Sequence, residues 1–186
     1  MSTSDTSRKF TFKGIPCRTT LDLDEITSGT QFEELVVAYF KLLSEDRSNN
    51  VTEVIAGSTK IGPDGGVDVL VIFTMTDSLS QFKRTWVVQC KFHTKAIGQS
   101  QLSKINLPTL VQQYNAVGYL LICKTNPTTQ VATQFKELSN PQTQYLIWTG
   151  EEFKARLIEQ PDIHKQFFPE YHAYTELLHN IKRGQP

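Results

Sequence analysis

No run of this sequence approaches the roughly 20 consecutive apolar residues that a membrane-spanning helix requires, so no membrane partner is expected. The N-terminal MSTSDTSRKF has neither the apolar core nor the small-residue cleavage site of a secretory signal, and the expected location is cytoplasmic. Cysteine is scarce. Cys17, Cys90 and Cys123 are too few and too scattered for a disulfide framework, and no C-x-x-C spacing suggests zinc. Reduced thiols follow. Internal repeats and low-complexity tracts are missing as well. With 186 residues, the chain has room for one α/β domain and not for two large ones, since domains usually run about 100–200 residues.

Net charge is also absent, because 19 Lys and Arg balance 19 Asp and Glu. The balance hides a segregation. Residues 78–136 carry seven bases (Lys83, Arg84, Lys91, Lys95, Lys104, Lys124, Lys136) and no Asp or Glu, while residues 1–77 carry twelve acids against seven bases. A locally basic stretch can steer a polyanion to one face of a neutral protein. Chance clustering on a solvated surface explains the charges equally well.

Hydrophobic periodicity orders the rest. Residues 1–28 read as a tail, with one short edge strand around residues 10–15. From Thr30, apolar residues recur at helical spacing through QFEELVVAYFKLLSED. VTEVIAGST is a strand, IGPDGG a tight turn, and GVDVLVIFTMT and KRTWVVQCKFH two further strands that complete a meander. A helix is predicted through QSQLSKINLPTLVQQYNA, kinked or split by Pro108. VGYLLICKT and QYLIWTG then alternate as strands with the helices TTQVATQFKELSN and EEFKARLIEQ, which implies a parallel half-sheet with covered faces. The domain is expected over residues 29–160. Residues 161–186 read as an extension or a linker to a missing region, with one short helix in HAYTELLHNIK. His164, His172 and His179 there match no metal-ligand spacing.

Asp68 is the first chemical anomaly, since it opens DVLVIF, a run that is otherwise apolar. An ionised carboxylate in such a strand is costly unless it is paired or holds a metal. In TWVVQCKFH, alternation sets Gln89, Lys91 and His93 on one face. If the two strands pair, Asp68 can face Gln89 and Lys91. Such a set suits phosphodiester hydrolysis, which needs a hard cation held by oxygen ligands. Asp68 is the candidate principal ligand, Gln89 supplies an amide oxygen, the backbone carbonyl of Cys90 supplies a third donor, and Lys91 acts on the water or the transition-state charge. The structural alternative is a buried Asp68–Lys91 ion pair with Gln89 as a hydrogen-bonding neighbour.

The motif Asp64-Gly65-Gly66-Val67-Asp68, followed by Gln89-Cys90-Lys91 and preceded by Phe32-Glu33 on a helix, resembles the signature of the PD-(D/E)xK nucleases, specifically the Mrr-like type IV restriction endonucleases. The resemblance spans residues 31–158 and includes the order of helices and strands. It implies an α/β, restriction-endonuclease-like three-layer fold, with a mixed central sheet, an antiparallel meander and helices on both faces. It also implies that Asp68 and Gln89 hold Mg2+, with Mn2+ able to substitute, that Lys91 is catalytic and that Glu33 reaches the site, while Asp64 shapes the turn. The implied activity is cleavage of double-stranded DNA, as the effector of a prokaryotic restriction or anti-phage system. The chain is then expected to dimerise or to be fused to a regulatory ATPase or sensor. Lys83, Arg84, His93, Lys95 and Lys104 are the candidate DNA contacts. Rival readings are a junction resolvase or exonuclease on the same fold, and a non-catalytic DNA-binding module.

Overall fold

A computed structural model describes residues 8–56, 67–103 and 105–183. The IGPDGG turn and Lys104 lie outside the described residues. The chain divides into two units, residues 28–153, and residues 1–27 together with 154–186.

The larger unit starts with α1 (Gly29–Glu45), which begins where the Ser28 hydroxyl accepts a hydrogen bond from the Gln31 N–H at 3.1 Å. That cap satisfies an amide the helix leaves unpaired. Its stripe of Phe32, Leu35, Val36, Tyr39 and Phe40 is buried. β3 (Val51–Ala56), β4 (Val69–Thr76) and β5 (Gln81–Lys91) form the expected antiparallel meander. Asp77 closes the turn between β4 and β5, its carboxylate accepting from the Leu79 and Ser80 amides at 2.8 Å each. β6 (Gly118–Cys123) and β7 (Gln144–Trp148) then add in parallel, giving the order β3-β4-β5-β6-β7. Every residue of β6 is buried, as a central parallel strand covered on both faces requires.

Helices cover both faces of this sheet. α2 (Leu107–Gln113) and α3 (Thr129–Leu138) bury Leu107, Val111, Val131 and Phe135 against Val87, Tyr119, Leu121 and Cys123 on one face. On the other, Phe32 of α1 meets Phe92 at 5.8 Å, and Tyr39 and Phe40 pack on Trp148. α4 (Gly150–Leu157) starts at a reciprocal cap, Glu152 accepting from the Thr149 N–H at 2.8 Å and Thr149 from the Glu152 N–H at 3.3 Å. The fold is the predicted three-layer α/β arrangement with a mixed sheet.

Two elements of this unit depart from the sequence reading. The helix expected after Gly98 is one 3-10 turn (Gln99–Gln101) followed by α2. Asn106 caps α2 by accepting from the Thr109 N–H at 3.1 Å, so Pro108 falls in the first turn, where its missing N–H costs nothing. β5 also stops at Lys91, so the alternation that grouped His93 with Gln89 and Lys91 does not reach it, and His93 is exposed.

In the second unit, β1 (Lys9–Phe12) and β2 (Ile15–Arg18) form a hairpin where a tail with one edge strand was expected. Its turn is Lys13-Gly14, both at positive φ (49° and 82°), as a two-residue hairpin turn demands. Two helices follow where one was predicted, α5 (Pro161–Phe167) and α6 (Pro169–Lys182), each with proline in its first turn. α6 packs on β2. Arg18, buried, forms ion pairs with Asp22, Glu25 (3.5 Å) and Glu170 (3.3 Å).

Candidate active site

Antiparallel register assembles the centre of the site. The Asp68 N–H donates to the Val88 carbonyl at 2.9 Å, extending the β4–β5 ladder one residue before Val69, which lies opposite Val88. Asp68 thereby comes to Gln89. Its Oδ2 accepts from the Cys90 N–H at 2.6 Å, which fixes the carboxylate at the edge of the ladder. Gln89 is only 3% exposed, and its Oε1 accepts from the Tyr119 phenol on β6 at 2.6 Å. Lys91, half-buried, ends β5 opposite Cys123.

Glu33 joins them from α1. It is half-buried while Glu34 is exposed. Burial lifts the Glu33 carboxyl above its ordinary range, the Asp68 carboxylate lifts it further, and the Lys91 ammonium draws it down. The Asp68 carboxyl is raised in the same way, burial outweighing the Cys90 N–H and Lys91. Burial is thus the main cause of both shifts, and a bound cation would favour the charged form of each carboxyl. Burial pushes the Cys90 thiol far up, so it is inert as a nucleophile, and its N–H, which holds Asp68, is the group it contributes.

Asp68 and Lys91 are not in salt-bridge contact, although the Lys91 ammonium is near enough to draw both carboxyls down. Nor does any set of three His, Cys, Asp or Glu among the described residues form a metal cage. What the fold brings together is Asp68 opposite Gln89, with Glu33 near enough to feel the charges of Asp68 and Lys91. That set fits magnesium, a hard ion that takes oxygen donors and keeps several of its waters, often with only one or two protein carboxylates.

The predicted DNA contacts do not lie together. Lys95 is exposed on the loop after β5, and its carbonyl accepts from the Thr125 hydroxyl at 2.9 Å. Lys83 and Arg84 are exposed on β5 but eight and seven residues before Lys91, about 26 and 23 Å away at roughly 3.3 Å per residue. Two residues were missed. Lys124 follows β6, its N–H donates to the Lys91 carbonyl at 3.0 Å, and its ammonium sits 4.5 Å from the Phe92 ring centre. Tyr119 is the only hydroxyl in the apolar strand GYLLIC, and a buried phenol needs a partner; that was the available signal.

This mixed-sheet, three-layer fold is the one expected of a restriction-endonuclease-like domain. A family model described as restriction endonuclease, of the Mrr catalytic type, matches residues 23–157, and the chain belongs to that family. Among solved structures it is similar to the DNA modification-dependent restriction endonuclease AspBHI, at 12% identity and a TM-score of 0.46, over 75% of this chain and 38% of that one. It is also similar to the MspJI restriction endonuclease in complex with a 27-mer oligonucleotide, at 16% identity and a TM-score of 0.46, over 68% of this chain and 27% of that one. The chain therefore spans well under half the length of these two. No curated protein matches it in sequence.

Proposed function

We propose that this chain is a magnesium-dependent endonuclease that hydrolyses phosphodiester bonds of double-stranded DNA. The observation that supports the reading is the placing of Asp68 opposite Gln89 at the end of the β4–β5 ladder, with Glu33 and Lys91 close enough for their charges to act on one another. Asp68 and Gln89 hold the cation, with Glu33 reaching it from α1. Bound there, the cation supplies polarisation of the scissile phosphate and a lowered pKa for an attacking water. Lys91 donates hydrogen bonds to that water and to the phosphoryl oxygens as their charge grows. The Cys90 N–H keeps one Asp68 oxygen turned into the ladder and leaves the other available. Lys95 and Lys124 flank the end of β5 and hold the DNA backbone. Family membership supports an effector role in a prokaryotic restriction or anti-phage system, and cutting both strands with one site per chain favours a dimer.

The test is incubation of supercoiled plasmid with the chain, with and without magnesium, beside Lys91→Ala. Nicked and linear DNA should appear only with magnesium, and the variant should be slower by about 100-fold or more at unchanged melting temperature. A variant that cuts normally, or one that loses several kcal/mol of stability as a stranded buried carboxylate predicts, would sink the proposal.

A further inference from the structure

Gln89 poses a problem that a glutamate in its place would not. The two ends of a carboxylate are alike, whereas an amide ends in one oxygen that can bind a cation and one NH2 that repels it. The two orientations differ by a half-turn of the terminal torsion and occupy nearly the same space. Something beyond packing must select between them. Gln89 is almost wholly buried between Asp68 and the β6 strand, and among the described residues the one side chain that hydrogen-bonds it is Tyr119, at 2.6 Å from Oε1.

We infer that Tyr119 is a positioning residue for the metal, its phenol donating to Gln89 Oε1 and so holding that oxygen in place for the cation. The inference rests on the reading of Gln89 as a ligand. An amide oxygen has two lone pairs; the phenol takes one and leaves the other for the ion. The phenol is itself held. Tyr119 is 0% exposed, edge-on to Phe135 of α3 (5.9 Å) and stacked on Tyr145 of β7 (6.4 Å). Its strand is registered so that Val87, two residues before Gln89, lies opposite it. Helix, two strands and ring thus fix the oxygen. Partners of this kind set ligand orientation at metal sites, and their loss typically weakens metal binding about 10- to 100-fold.

Mn2+ binding to the full chain, measured by isothermal titration without DNA, separates this role from plain packing. Tyr119→Phe should weaken Mn2+ by about 10- to 100-fold with the far-ultraviolet circular dichroism retained. In a Gln89→Glu background the same substitution should change affinity little, because a carboxylate presents oxygen whichever way it turns. Equal losses in both backgrounds would show that the phenol only supports the fold, and an unchanged Tyr119→Phe affinity, or loss of its circular dichroism, would overturn the inference equally. Asp68→Ala serves as the separate arm. If it keeps wild-type Mn2+ affinity, the metal site itself is wrong; if it loses binding while Tyr119→Phe keeps it, the site stands and only the role of Tyr119 fails.

Discussion

Three carboxylates share one buried guanidinium at Arg18, and Glu25 bears the consequence. Burial raises its pKa from 4.5 to about 6, Arg18 opposing and Glu170 and Asp22 adding. The folded state therefore binds this proton more tightly than the unfolded chain does. Its contribution is complete below about pH 4.5 and lost as pH rises through about 6, a loss of about 2 kcal/mol. Glu25→Gln imitates the protonated form, so in urea unfolding it should match the wild type near pH 4.5 and exceed it at pH 7.5. A variant weaker than wild type at pH 7.5 would mean that attraction to Arg18 outweighs burial. At this scale the sequence exposed Asp68 and Gln89, because a polar group amid Val and Ile announces a cost that something must offset. It hid Arg18, whose partners lie 4, 7 and 152 residues away.

Among the elements, β6 is the most constrained, and its first residue shows why. Gly118 lies between Trp86 of β5 and Gln144 of β7, and a Cβ there would fall 2.5 Å from the Trp86 ring and 2.7 Å from the Gln144 carbonyl oxygen. The carbonyl is backbone and cannot yield. Gly118→Ala should cost about 1–3 kcal/mol in equilibrium unfolding, with β5 and β7 pushed apart; an unchanged denaturation midpoint would show that the sheet gives way there. Strands such as VLVIF and GYLLIC were legible because their composition and their length agree. The second unit was less so. Its hairpin strands have four residues each, too short for alternation to register, and FFPEY conceals a helix boundary because Pro169, two residues past the end of α5, also opens α6.

Over the whole molecule, charge was read correctly as segregated along the chain but incompletely as a surface. Sequence proximity grouped Lys83 and Arg84 with Gln89 and Lys91, yet the length of their shared strand carries them to its far end. Lys124, distant in sequence, lies beside Lys91 through a parallel pairing that periodicity alone does not reveal. In fluorescence anisotropy with a labelled duplex in calcium, Lys95→Ala or Lys124→Ala should lower the slope of log affinity against log salt by about 0.9, one phosphate each. Unrelated sequences should be affected alike. Lys83→Ala should change the slope less, and the opposite ranking would route the DNA along the β4–β5 hairpin instead.

The loops bearing Lys95 and Lys124 are also tied to each other. The Ile97 N–H donates to the Asn126 carbonyl at 3.2 Å, the Thr128 N–H to the Ile97 carbonyl at 2.8 Å, and the Thr125 hydroxyl to the Lys95 carbonyl at 2.9 Å. Ile97 between them is fully buried. The two cations thus ride on a single stapled platform. A backbone tied in this way leaves less chain to order on contact with a polyanion.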